Sequence, residues 1–517
     1  MALPYLIFDP ASTDLAAQTF RADLWREHGW VLWNDAWYSG HLVPGYSLLY
    51  PPLGALVGPR VVGVLAAAAA AAAFAALLRA NRPGPSATLA GLWFALGAGA
   101  LIYTGRITFM LGLAFGILAI LALRRLPLAA LLAALAALGS PVAGLFTALA
   151  GAALILGGRV REGVVLVAGA SVATLVLVFT FPTGGSQPFG FESFWWGALA
   201  CSIAVVVIPA DLRTLRIGIA IYALLLVALF VVPTPIGSNA PRLGALLLGP
   251  LAALALLERR PRLLAIVALP LLYWQLAAPV GDLVRGTDEP ATEAAFYEPL
   301  LAQLQQRTGG APVRVEIPAS QERWEAVYVA ERFPLARGWL RQLESSDVDD
   351  FAEGTLTPAT YREWLTRHGV SYVALSSATL DYISQSEAEL LKGDLPYLRK
   401  VYYDDDWTLW EVLPPDGGEF RSGEALADGG ARVTELRPDG FTVDVPGPGS
   451  YRLAIAWTSY FEIEGGPGGT CVSEGADGST EVSVADAGEG TEEAATVDVA
   501  AGLSLGGLTR RDRSCAS

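Results

Sequence analysis

The chain has 517 residues, 53% of them hydrophobic and 16% charged, with a mean hydropathy of +0.44. This profile belongs to a polytopic membrane protein and excludes an ordinary soluble enzyme. Residues 1–280 hold 16 Lys+Arg against 9 Asp+Glu, whereas residues 281–517 hold 19 against 41, and so acidic a soluble half gives no footing for nucleic acid.

Residues 1–53 are expected to form a first outer loop. The opening "MALPYLIF" is too short to cross a bilayer, which takes about 20 residues, and it lacks the basic flank of a secretory signal. Met1–Phe8 therefore reads as the outer end of a helix whose beginning lies upstream, which would give the intact protein eleven spans; the alternative is that this stretch lies on the membrane surface. "TDLAAQTFRADLWREHG" has helical periodicity, with Leu15, Phe20 and Leu24 on one face and Thr13 as N-cap. Such a helix should lie along the membrane interface, with Trp25, Trp30, Trp33 and Trp37 of this loop at headgroup depth. Asp9, Asp14, Asp35 and His41 make the same loop the stretch richest in chemistry.

Ten apolar runs follow between Gly54 and Val280: 54–78, 87–103, 107–123, 127–138, 142–157, 163–181, 194–209, 215–233, 243–257 and 262–279. Eleven arginines fall on one set of alternate loops, and only Arg106 and Arg242 on the opposite short ones. The positive-inside rule then places residues 1–53 and everything after Val280 outside. The stretch 126–158 reads as a short hairpin broken at Gly139-Ser140-Pro141, because a single pass would put seven of the eleven arginines outside.

Residues 281–415 mix strand-like runs such as "VSYVAL" and "TLWEVL" with helical ones such as "PATYREWLTRHG", an α/β pattern. Residues 416–517 turn to Gly, Asp, Thr and Val with period-two alternation, the pattern of a small β-sandwich, and "PPDGGEF" reads as the linker. Cys471 and Cys515 are the two cysteines of this outer tail and are expected to form a disulfide in an oxidising exterior. No CxxC, HxxxH or HExxH spacing occurs, so no metal site is read from the residues.

An acidic residue just after a first span, a loop of some 45 residues with an interfacial helix, and "YSLLYPPLGAL" leading into the next span resemble the GT-C superfamily of integral membrane glycosyltransferases. "GRITFMLGLAFG", "GSPVAGLF", "PIGSNAPRLG" and "PLARGWLRQLE" are similar to segments of uncharacterised actinobacterial membrane proteins related to it. The resemblance implies a GT-C-like bundle of about ten spans (residues 54–280) in the plasma membrane, with extracytoplasmic α/β and β-sandwich domains. It implies transfer of a sugar from a polyprenyl-phosphate donor to an outward-facing envelope glycan or glycolipid. It leaves a divalent metal, Mg or Mn, open, although this chain lacks the paired acidic motif DxD. An inverting displacement needs a general base at the outer membrane boundary, and Asp14, with Asp9, is the candidate. The leaving phosphate needs cations, and arginine forks match it. Arg106 and Arg242 fill that role, with Asp35 and His41 as further substrate-binding candidates.

Each candidate also has a plainer reading. Asp14 is equally suited to an N-terminal helix charge, Asp9 and Asp35 to turns, His41 to an interfacial position, and the two arginines to loop charges. A transporter or lipid-handling protein is the alternative from another class, as is a non-catalytic scaffold for envelope polymer assembly. Charged residues are nearly absent from the apolar runs, which argues against coupled transport. A topology reporter fused after Val280 should be active on the outer side of the membrane. Cytoplasmic activity would overturn the orientation and the site built on it.

Overall fold

The computed structural model describes residues 1–37, 40–182, 184–340, 342, 349–414, 418, 423–485 and 494–509. They form two compact units, Met1–Arg26 with Pro44–Thr287, and Glu27–Val43 with Asp288–Ser517. Residues 27–43, expected within the first outer loop, therefore group with the tail.

The first unit is helical: α1 (Ala2–Phe8), α2 (Thr13–His28, whose last two residues pass to the second unit), α3 (Tyr50–Val57), α4 (Pro59–Asn81), α5 (Pro85–Leu101), α6 (Ile107–Leu121), α7 (Leu126–Gly139), α8 (Pro141–Leu156), α9 (Val160–Thr180), α10 (Phe191–Val207), α11 (Arg213–Val231), α12 (Arg242–Leu256) and α13 (Pro261–Gly286). The ten apolar runs coincide with α4 to α13. Six of these, α4, α5, α9, α11, α12 and α13, are long and apolar enough to cross a membrane, counting the short turns that extend α5 and α12. The other four have 14 to 17 residues. A full crossing takes about 20, so ten apolar helices are not ten full-length spans.

The break between α7 and α8 falls at Ser140, which is extended at φ −162° and ψ 120°. Pro141 forces this, because its ring crowds a helical conformation in the residue before it. In a bilayer lipid tails are as apolar as leucine, so helices associate through close packing of small residues. The α8–α9 contact shows this: a Cβ on Gly151 would lie 2.7 Å from the Gly163 carbonyl oxygen, and one on Gly163 would lie 2.5 Å from that of Gly151.

A polar clip joins α5, α12 and α13. Pro250 has no N–H, so the Leu246 carbonyl four residues earlier loses its helical donor. Gln275 Nε2 donates to that carbonyl at 3.1 Å, and Trp93 Nε1 donates to Gln275 Oε1 at 2.9 Å. Gly97 and Gly249 leave the notches: a Cβ at either would approach Gln275 at 2.1 Å or Trp93 at 2.5 Å.

In the second unit, helix α14 (Ala294–Thr308) precedes a four-stranded sheet of order β3-β4-β6-β5, made of β3 (Arg314–Glu316), β4 (Val370–Ser376), β5 (Leu398–Tyr403) and β6 (Trp407–Val412). Only the β3–β4 pair is parallel. A helix at Pro358–Arg367 starts in a Thr357–Thr360 capping box and runs through Gly369, at φ 63°, straight into β4. Tyr361, Trp364, Val373 and Trp410 pack the core behind it. Two antiparallel sheets follow, β10-β13-β8-β7 and β11-β12-β9, from β7 (Arg432–Arg437), β8 (Gly440–Val445), β9 (Gly449–Ala456), β10 (Phe461–Gly465), β11 (Cys471–Glu474), β12 (Ser479–Val484) and β13 (Ala495–Ala501). Phe441, Val443 and Val445 of β8, and Val497 and Val499 of β13, are buried at every second position. Cys515 lies outside the described residues, as does most of the 414–420 linker, so the expected disulfide falls there too.

Residues 27–43 pair into this unit. Strand β1 (Trp33–Asn34) is antiparallel to β2 (His41–Leu42), Trp37 bridges to Leu335, Asn34 Nδ2 donates to the Pro438 carbonyl at 3.0 Å, and Trp33 meets Phe461 edge-on at 4.9 Å. Trp33 and Trp37, expected at headgroup depth, are instead buried in protein.

Replacing Gln275 by Leu should strip the Trp93 N–H and the Leu246 carbonyl of partners, lowering stability by about 1–3 kcal/mol. Adding Pro250→Ala returns Leu246 its own helical donor and should recover part of that loss. Thermal unfolding of the two variants in detergent measures both.

Candidate functional site

Asp14 occupies the first turn of α2, whose first residue is Thr13 rather than an N-cap before it. Leu15, Phe20 and Leu24 are all buried, but with Ala16, Ala17, Gln18 and Ala22 buried as well the helix is enclosed on all sides rather than along the one face expected, and Leu15 and Leu24 fall on opposite sides of it. Tyr50 fixes the helix from α3, its hydroxyl donating to the Gln18 carbonyl at 2.9 Å. Arg21, which sequence reasoning passed over, is buried: its guanidinium lies 4.1 Å from the centre of the Tyr46 ring, and Nη1 donates to the Ala17 carbonyl at 3.2 Å. Burial lowers its pKa, opposed by Tyr46 and Tyr50.

The structure brings Asp14, Arg106 and Arg242 together. Arg106 Nε donates to Asp14 Oδ2 at 3.0 Å, and Arg242 Nη2 lies 3.7 Å from the same oxygen. Arg106 is delivered by a turn ahead of α6 that only glycine permits. Gly105 has φ 73°, and a Cβ there would lie 2.2 Å from the Leu15 nitrogen. Arg242 is the first residue of α12, its guanidinium 5.9 Å from the centre of the Phe109 ring, and its buried Nε has no hydrogen-bond partner among the described residues. The side chains of Asp14 and Arg242 are only 19% and 16% exposed, which limits screening by water.

Two further charges join them from the end of α13. Asp282 pairs with Arg285 one turn on, and also feels the charges of Arg106 and Asp14. Sequence reasoning missed both because the apolar run ends at residue 279, which makes 282 and 285 look like the start of the tail. The five residues bring two carboxylates and three guanidiniums to four helix ends. This set suits a monoanionic oxyacid such as a phosphodiester. It does not suit Mg or Mn, which need several oxygen ligands, whereas Asp14 already faces guanidiniums. Among the described residues no group of three or more His, Cys, Asp and Glu is placed to hold a metal.

The remaining candidates lie elsewhere. Asp9 closes α1 in a left-handed conformation, φ 50°, with its carboxylate 2.7 Å from Arg60 Nε, while Arg60 Nη2 donates to the Asp9 and Pro10 carbonyls. Asp35 and His41 belong to the second unit and are buried. Asp35 receives Arg314 Nη2, and Arg314 Nη1 donates to the carbonyls of His368, at 2.7 Å, and Ala454. His41 stacks on Trp37 with ring centroids 5.0 Å apart.

No family model and no curated protein matches the chain. Among solved structures it is similar to the cryo-EM structure of the arabinofuranosyltransferase AftD from Mycobacteria, at 16% identity and a TM-score of 0.44. The match covers 85% of this chain but 41% of that one, so the chain spans well under half the length of that protein. The chemistry of the site rests on its own residues.

Burial pushes the Asp35 carboxyl up to about 7, with Arg314 opposing, against about 3.9 in an unfolded chain. A group raised in this way contributes stability that is fully present below about pH 4 and lost as pH rises through about 7. The pH profile of thermal unfolding should therefore slope downward across that window, and Asp35→Asn should flatten it.

Proposed function

We propose that this chain is a GT-C-like membrane glycosyltransferase that moves a sugar from a polyprenyl-phosphate donor to an extracytoplasmic envelope glycan or glycolipid. The observation that supports this reading is the convergence of Asp14, Arg106 and Arg242 at the ends of α2, α6 and α12. A base and a phosphate-binding pair are what the reaction requires in one place.

In this reading Arg106 and Arg242 turn from Asp14 to the donor phosphate, and the unpartnered Arg242 Nε gains an acceptor. The freed Asp14 carboxylate takes the proton of the acceptor hydroxyl as its oxygen bonds to the anomeric carbon. The bond from that carbon to the phosphate oxygen breaks, and the polyprenyl phosphate leaves with the electron pair. Asp9, five residues upstream and held by Arg60, orients the acceptor. The burial of Asp35 and His41 supports a holding role rather than contact with substrate. The catalytic face and the tail are extracytoplasmic, in the plasma membrane.

A second reading, a scaffold that grips a lipid phosphate without transfer, is favoured by the same pairing, since a carboxylate between two guanidiniums also serves to orient them. Sugar transfer from a polyprenyl-phosphate donor in membranes separates the two. Asp14→Asn should lower the rate by about 10²–10⁴ while donor binding persists, and Arg242→Ala should mainly raise KM for the donor. Binding of polyprenyl phosphate with no sugar consumed by the unaltered chain would decide for the scaffold.

A further inference from the structure

A groove of about 590 Å³ opens in the first unit between α4, α6, α8, α11 and α12. Its walls are apolar, with Phe74, Leu113, Ile117, Phe146 and Leu251 among them. The polar groups along its length are spent on the backbone: Thr147 donates to the Ala143 carbonyl, and the Tyr222 hydroxyl donates to Ala240 and accepts from the Gly244 N–H. The groove follows α11 from Arg213, with Asp211 in the turn ahead of it, to Tyr222 and α12 from Leu243 to Leu254. Eleven residues of helix rise about 16 Å, roughly half of the apolar thickness of a bilayer.

Polarity is confined to one end, where Asn81, Asp211, Arg213 and Thr214 line the mouth. This end belongs to the arginine-rich set of loops. Asp211 is committed to Arg259, at 2.8 Å through both nitrogens, and to Arg82 at 3.4 Å. The hydrogen bond from Arg259 holds the Asp211 carboxyl down at about 2, so it stays ionised and paired. Arg213 has no ion-pair partner among the described residues and is exposed at the mouth. Two carboxylates, Asp211 and the Glu258 that also acts on Arg259, against three guanidiniums leave one positive charge in surplus where an apolar slot begins.

We propose that this groove seats an acyl chain of an anionic glycerophospholipid from the leaflet on the arginine-rich side, with its phosphate at Arg213. An apolar slot with a cationic rim matches the two ends of that molecule. A free phosphate would leave the slot empty, and a zwitterionic lipid would leave the surplus charge uncompensated. The site is separate from the Asp14 cluster: none of Asp14, Arg106, Arg242, Asp282 and Arg285 lines the groove. It does not depend on the chain being a transferase.

The test uses the full chain in phosphatidylcholine vesicles doped with phosphatidylglycerol, followed by extraction and native mass spectrometry of the retained lipid. Phosphatidylglycerol should be retained about fivefold over its share of the vesicle, as expected for one arginine against an anionic headgroup. Arg213→Gln, an exposed change that leaves the core intact, should bring the ratio near one. Ala150→Phe, which fills the slot with Arg213 unchanged, should remove retained lipid of both kinds. Equal retention of the two lipids by the unaltered chain would overturn the proposal, as would lipid retained in the Ala150→Phe chain. Displacement of bound phosphatidylglycerol by a polyprenyl phosphate would overturn it too, by giving the groove to the donor's tail.

Discussion

The contact of Asp14 with Arg106 and Arg242 sets the geometry around which the helical unit is arranged. Taking a carboxylate and guanidiniums out of water is costly unless they face one another. The cost is steeper at a membrane boundary, where apolar helices leave few alternative partners. The pairing therefore fixes the start of α2, the turn before α6 and the start of α12 against one another. Gly105 is part of this constraint, since any side chain there would collide with the backbone of Leu15 and push Arg106 away. Within the cluster the buried Arg242 Nε has no hydrogen-bond partner among the described residues.

The same low-dielectric rule governs the rest of the bundle, by other means. Where α8 meets α9 no polar group is needed, because Gly151 and Gly163 let the backbones touch. Where Pro250 removes a helical donor, a side chain from another helix must answer, and Gln275 does so while also accepting a hydrogen bond from the Trp93 N–H. Proline costs α12 a hydrogen bond, and in exchange two neighbouring helices are locked in register with it. The buried pair Asp35–Arg314 follows the same logic in the second unit, with the guanidinium's other nitrogen satisfied by carbonyls of His368 and Ala454.

What was legible in the sequence is what short-range physics controls. Ten apolar runs gave ten apolar helices, and Pro141 marked the hairpin because its effect on Ser140 is local. Asp14, Arg106 and Arg242 stood out because charges are rare in that half of the chain. What hydropathy could not show was how much of each run would be helix, and four helices came out shorter than a crossing. Asp282 and Arg285 were hidden by the end of an apolar run inside a helix that continues to Gly286. The fate of residues 27–43 was illegible for a different reason: Asp35 meets a partner 279 residues away, and tryptophans that suit a membrane surface suit a β-sheet core as well.

That segment has a mechanical consequence. Because residues 27–43 belong to the second unit and both flanks to the first, the chain passes between the units at 26–27, 43–44 and 287–288. Three covalent joints tie the two bodies instead of one. Severing the chain at 287 would not yield two self-sufficient pieces. The helical piece would keep a seventeen-residue loop with Trp33 and Trp37 stripped of their burial, and the tail would lose the strands that meet Leu335 and Pro438. The two units are therefore encoded by interleaved segments of the chain, although each has a core of its own.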